Sequence, residues 1–174
     1  MTSATFTLHS TPVGDALLVF TDVGLVTLEL LHAGESADAP LARLAQALHE
    51  PAGHESSDAG PAAAVCTQLD EYFARRRRVF DVPIDWRLVR GFTRTALETV
   101  CEIPYGETAA YGEVAVLAGH PHAHRAVGTA CARTPFSIVV PVHRVVRADG
   151  SIGEYGGHPE VKRYLIDLEA GVGV

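Results

Sequence analysis

The sequence is short of the side chains that mark a metal centre, a disulfide framework or a membrane span. Its three cysteines, Cys66, Cys101 and Cys131, form no CxxC pair and read as small buried hydrophobes, so neither zinc nor a disulfide scaffold is indicated. No cofactor motif stands out. No apolar run approaches the roughly 18 residues of a membrane helix, which predicts a cytoplasmic protein with no membrane partner. Excess positive charge is missing as well. Fourteen Lys and Arg stand against 21 Asp and Glu, a formal net charge of -7, and such a balance argues at first against nucleic acid, because phosphate affinity comes from clustered basic side chains. The average hides an asymmetry. Residues 1–89 carry 6 basic and 12 acidic side chains, whereas residues 90–174 carry 8 and 9. In that nearly neutral half Arg125, Arg133, Arg144 and Arg147 are close enough in sequence to build a local patch, which is all that a small DNA footprint needs. What remains, 47% hydrophobic and 20% charged over 174 residues, is the composition of one or two ordinary globular domains.

Along the chain, an alternating segment at residues 4–9 and apolar runs at 16–20 and 25–31 predict a short antiparallel meander, with turns at 11–15 and 22–24. Leu41, Leu44, Ala45 and Leu48 recur at helical spacing within residues 40–49, and Val65, Leu69, Tyr72 and Phe73 repeat that pattern within 61–78. A polar Gly/Ser/Pro loop at 50–60 separates them. Arg75 to Arg78 would then end a helix, where positive charge suits the negative end of its dipole, and a run this short is weak evidence for a nucleic-acid groove. Residues 79–88 read as an extended connector. Beyond it, Phe92, Ala96, Leu97 and Val100 form a helical stripe that ends before Ile103-Pro104, and a second helix is predicted over 110–118. Gly119 and His120 turn the chain, with Pro121 placed to begin a third helix reaching Ala132. The tight Gly-containing turn between short helices makes a helix-turn-helix candidate. Residues 136–140 read as a buried strand. Pro159 opens a last helix bearing Val161, Leu165 and Leu168 on one face, with Gly171 as its stop.

Four motifs carry the chemistry: Ile103-Pro104-Tyr105-Gly106-Glu107-Thr108, Tyr111-Gly112-Glu113-Val114-Ala115, Arg125-Ala126-Val127-Gly128, and Pro141-Val142-His143-Arg144-Val145-Val146 followed by Gly153-Glu154-Tyr155-Gly156-Gly157. Their order and spacing resemble those of the O6-alkylguanine-DNA alkyltransferases, in which a Pro-Cys-His-Arg-Val loop carries the cysteine that takes the alkyl group from damaged guanine. The resemblance covers nearly the whole chain and is most specific from Phe92 to Glu169. It implies an α+β protein: residues 1–85 form a small antiparallel sheet with helices, a ribonuclease H-like domain, and residues 90–174 form a mainly helical DNA-binding domain with the helix-turn-helix and a base pocket. It further implies that the helix carrying Ala123, Arg125, Gly128 and Arg133 enters the minor groove, that Arg125 fills the gap left by an extruded nucleotide, and that Tyr111 crowds the target phosphate. Pro141, Val142, Tyr155, Gly156 and Gly157 would line the lesion pocket, where absent side chains allow close backbone approach.

The acceptor position, however, holds Val142. An isopropyl group has no lone pair and cannot be alkylated by displacement, whereas a thiolate can. His143 and Glu169 match the residues that activate the family cysteine through a bound water; without a thiol they are predicted to persist as a buried hydrogen-bonded pair. Thr134-Pro135 replaces the family's Asn-Pro, and Ala110 stands where serine or threonine caps the helix before Tyr111, leaving Thr108 to compensate. His120, His122 and His124 are expected to lie near phosphate rather than to bind metal. The resemblance therefore implies a monomeric, non-catalytic protein, akin to the alkyltransferase-like proteins, that binds double-stranded DNA containing O6-alkylguanine and passes it to nucleotide excision repair proteins. Two alternatives stay open at this point. One is an active methyltransferase, using Cys131 or Cys101 or carrying Val142 in place of its natural cysteine; the other is a degenerate paralogue that serves as a protein-interaction module.

Overall fold

Period-two alternation near the start of the chain produces three strands, β1 (Thr5–Thr11), β2 (Gly14–Phe20) and β3 (Leu25–Leu31), in antiparallel order β1-β2-β3. The computed structural model describes residues 4–51, 53, 55 and 60–173, so the loop expected at 50–60 lies partly outside the described residues. The chain divides into two units at residues 88 and 89. In the first, the β1-β2 turn depends on Gly14: its φ is +123°, and a Cβ there would sit 2.5 Å from the Leu31 carbonyl oxygen. Only glycine meets both conditions. Ala4, Leu17, Val19, Val26 and Leu31 make a core against which Leu41, Leu44 and Leu48 of α1 (Asp38–Leu48) pack. Helix α2 (Pro61–Phe73) buries Val65, Leu69 and Tyr72. It stops at Phe73, earlier than the sequence pattern implied, because Arg75 adopts a left-handed φ of 59° that breaks the ladder. Arg75 to Arg78 therefore lie beyond the helix, not in its last turn. The connector that follows joins the sheet, Leu25 N–H donating to Pro83 O and Asp85 N–H to Leu25 O at 2.8 Å each, before a short 3-10 turn at Trp86–Leu88.

In the second unit, α3 (Gly91–Cys101), α4 (Tyr111–Leu117), α5 (His124–Ala132) and α6 (Pro159–Ala170) bury Ala96, Leu97, Val100, Val114, Ala115, Val127, Leu165 and Leu168. Strand β4 (Ala109–Ala110) pairs in parallel with β5 (Val145–Val146), so the residues that start α4 are fixed against those that follow the signature loop. Pro121 does not open α5. Residues 121–123 form a turn, Ala123 N–H donating to His120 O at 2.9 Å, and the helix begins at His124. Nor is 136–140 a strand: Val140 N–H donates to Phe136 O at 3.0 Å, folding the segment into a turn although Phe136, Ile138 and Val140 are fully buried. Apolar, β-branched composition reported burial there, and burial alone does not distinguish a strand from a turn. The result is an α+β architecture, a small antiparallel sheet with helices followed by a mainly helical unit with a helix-turn-helix.

Candidate nucleic-acid interface and base pocket

Ile138 is a β-branched residue at φ 68°, a conformation that costs such a residue appreciably and that clusters at functional turns. The strained turn delivers Pro141 into a 3-10 turn at Val142–Arg144. Val142 is 3% exposed and His143 fully buried. The Tyr155 hydroxyl is buried beside Ser137 and the Ile138 backbone, neither of which closes a hydrogen bond of standard geometry, and this burial pushes its phenol up. Gly156 and Gly157 follow at φ 56° and 84°, so the segment after Tyr155 turns where side chains are disfavoured.

Below the turn, Glu169 gathers four hydrogen bonds. Its Oε1 meets His143 Nε2 at 2.8 Å and Arg144 Nη2 at 3.0 Å; its Oε2 accepts from Arg144 Nε at 2.9 Å and from Gly106 N–H at 3.0 Å. Arg144 also donates to Ile103 O at 2.6 Å and lies 5.8 Å from the Tyr105 ring centroid. Arg144 is thus a buried structural cation and leaves the surface patch that the sequence assigned it to. Burial pushes the Glu169 carboxyl up, but the hydrogen bonds from His143 and Arg144 and the Arg144 charge outweigh it and hold the group well below the usual carboxylate range. Burial also lowers the His143 imidazole, more than Glu169 raises it. A neutral ring facing an ionised carboxylate must donate from Nε2, which leaves Nδ1 as the acceptor.

Stability should respond to acid accordingly. An unfolded histidine takes its proton near pH 6.5 while folded His143 resists, so stability falls as pH drops below about 6.5, by at most about 1.4 kcal/mol per pH unit for this one proton. The Glu169 contribution has the depressed-carboxylate sign: it is present above about pH 4.3 and lost below. Urea midpoints at pH 7.5 and 5.5 check the first part, and His143→Phe should flatten the difference by one proton's worth.

Sequence reasoning missed Lys162. It is 1% exposed, donates to Val145 O at 2.5 Å and reaches the Tyr111 hydroxyl at 3.5 Å, with desolvation lowering its amine to about 8. The available signal was that it is the sole lysine among 14 basic residues. A buried lysine is uncommon, and burial places its proton within reach of neutral pH. Tyr111 opens α4 half-buried. Its ring lies 3.9 Å from where a Cβ on Gly128 would stand, and its hydroxyl 3.4 Å from that of Gly153, so it packs against both glycines with a Cβ at either falling at ordinary van der Waals distance. Burial, then Cys131, raises its phenol. Ala110 supplies no cap, and Thr108 does not replace it; instead Glu113 Oε2 accepts from Ala110 N–H at 2.6 Å.

Helix α5 presents Arg125 to solvent near its start and Arg133 at its C-cap, with Ala123 at its N-cap. Gly128 faces inward toward Tyr111. His120 packs edge-on against Phe92 at 5.0 Å, and among the described residues no group of three metal-ligating side chains occurs. A helix-turn-helix in the same unit as a buried His143–Glu169 pair and a strained Pro-x-His-Arg turn is the layout of a nucleic-acid-binding class of protein.

Comparison with known proteins identifies the family. The profile of the 6-O-methylguanine DNA methyltransferase DNA binding domain matches residues 91–171, and that of the same family's ribonuclease-like domain matches 5–86. The methylated-DNA–protein-cysteine methyltransferase of Mycobacterium tuberculosis is 41% identical over 128 residues, 73% of this chain and 77% of that one. The crystal structure of the M. tuberculosis O6-methylguanine methyltransferase superposes with a TM-score of 0.79 at 32% identity, covering 98% of this chain and 95% of that one. A structure of M. tuberculosis OGT in complex with DNA gives 0.78 at 32% identity, covering 97% and 94%. The chain belongs to the 6-O-methylguanine DNA methyltransferase family.

Proposed function

We propose that this chain is a DNA-lesion recognition protein that binds the minor groove through α5, holds O6-alkylguanine flipped into the pocket beside Tyr155, and keeps the alkyl group on the base. The observation that supports the reading is Val142, buried beside an intact His143–Glu169–Arg144 network in the loop whose motif resembles the family's cysteine-bearing one. On this reading the lesion-binding framework remains where the nucleophile does not. Arg125 supplies the exposed cation that fills the vacated stack, and unstacking costs a few kcal/mol that this insertion and the fitted pocket offset. Tyr111, packed against Gly128 and Gly153, orients the phosphate. The bound lesion then marks the site for nucleotide excision repair proteins, with the chain acting as a cytoplasmic monomer.

The methyltransferase relatives favour a second reading, in which another thiol accepts the alkyl group. Both candidates are poorly suited. None of the cysteines is a buried hydrophobe as the sequence suggested: Cys101 is exposed, although crowding around its sulfur, then Glu102 alongside, pushes the thiol up to about 11, and half-buried Cys131 is pushed by desolvation up to about 12, so neither forms much thiolate at neutral pH. Fluorescence anisotropy with duplexes that do or do not contain one O6-methylguanine tests the proposal. The unaltered chain is expected to prefer the lesion about ten-fold or more, a difference of about 1.4 kcal/mol or more, and Arg125→Ala to abolish that preference. Equal affinity for both duplexes sinks lesion sensing; a gain of one methyl in intact mass after incubation restores the transfer reading.

A further inference from the structure

The first unit carries 12 acidic and only 6 basic residues, and four of the six stand together at Arg75 to Arg78. Within the run Arg77 binds Glu71 at 2.6 Å and also donates to Val79 O at 3.0 Å, which fixes the turn, while Arg75, Arg76 and Arg78 are exposed. A second feature points the same way. Arg75 occupies the left-handed position just past α2, φ 59°, where glycine is the favoured residue and a long side chain is not. A cation has been placed at a site where backbone energetics disfavour it, and such local strain is a mark of functional positions.

We propose that Arg75, Arg76 and Arg78 form a second DNA contact, a guanidinium cluster on the first unit that grips phosphodiester backbone without regard to sequence or lesion. The inference rests on the DNA-binding reading above and adds a contact outside the helix-turn-helix. Duplex DNA is the occupant argued for because guanidinium forks match phosphate oxygens and the same chain carries the DNA-binding domain of its family.

The test uses the full chain and an undamaged duplex, with the dissociation constant measured across a salt series. Each phosphate contact steepens the dependence of log affinity on log salt by about 0.9. The triple variant Arg75→Gly, Arg76→Ala, Arg78→Ala is expected to lower the slope by about 2 to 3 and to weaken undamaged and O6-methylguanine duplexes by the same factor. Arg75→Gly alone is expected to lower the slope by about 1 while raising the thermal midpoint by a few degrees, a pairing that general destabilisation does not produce. An unchanged slope in the triple variant overturns the proposal and leaves lesion recognition standing, provided the unaltered chain still prefers the damaged duplex. Loss of retention on phosphatidylserine vesicles with no change on DNA overturns it in favour of a lipid surface. Absence of DNA binding by the unaltered chain at every salt concentration overturns both this inference and the function on which it rests.

Discussion

Val142→Cys is expected to turn the chain into a stoichiometric alkyl acceptor. Incubated with a duplex containing O6-methylguanine, the variant should gain the mass of one methyl group per molecule and leave unmodified guanine behind, while the unaltered chain gains none. The reasoning is local. His143 is neutral, held by its Nε2 to Glu169, and offers Nδ1 as a base. The new sulfur would stand one residue away on the same 3-10 turn. Removal of its proton gives a thiolate that attacks the alkyl carbon, breaking the bond to O6, and the base recovers a proton as it leaves. Exchanging valine for the smaller cysteine at a buried site costs about 1 kcal/mol, too little to unfold a domain of ordinary stability. A folded Val142→Cys variant that binds the lesion but shows no mass gain would mean that the pocket does not bring the alkyl carbon to residue 142.

Glu169→Ala carries the second large effect, and it falls on stability. The substitution strips four hydrogen bonds at once and leaves Arg144, 8% exposed, with a buried charge that has lost its carboxylate. Removing one partner of a buried ion pair typically costs about 3–5 kcal/mol, a large part of the about 5–15 kcal/mol available to a domain. Glu169→Gln should cost less, because the amide still accepts from one side. Pairing Glu169→Ala with Arg144→Met should recover part of the loss by taking the orphaned cation away. Urea denaturation of the four proteins checks the order, and a Glu169→Ala variant as stable as its parent would show that the network contributes no net stability.

The sheet, the helix-turn-helix and the last helix were legible because each rests on periodic apolar residues with a turn signal at its ends, as in Val161, Leu165 and Leu168 before Gly171. The signature loop was legible as a motif. Its conformation was not, because 136–140 has the composition of a strand while Ile138 takes a left-handed φ that no composition announces. Pro121 suited a helix start, yet the preceding turn closes through His120 and delays α5 to His124. Arg144 looked like part of a DNA patch since sequence does not say which of several arginines meets a carboxylate 25 positions later. The same long-range pairing hid Lys162, whose partners Val145 and Tyr111 lie 17 and 51 residues away. Short-range pattern reveals which element a residue joins; it does not reveal a buried polar bond whose partner comes from another element.

The carboxylate of Glu169 also sets an order of assembly. Residues 106, 143 and 144 all await a side chain from α6. However far α3, α4 and α5 have formed, Arg144 lacks its carboxylate until Glu169, 25 positions further along the chain, docks against it. Until then the turn at 142–144 sits on an unfinished base, and docking of α6 is what completes it.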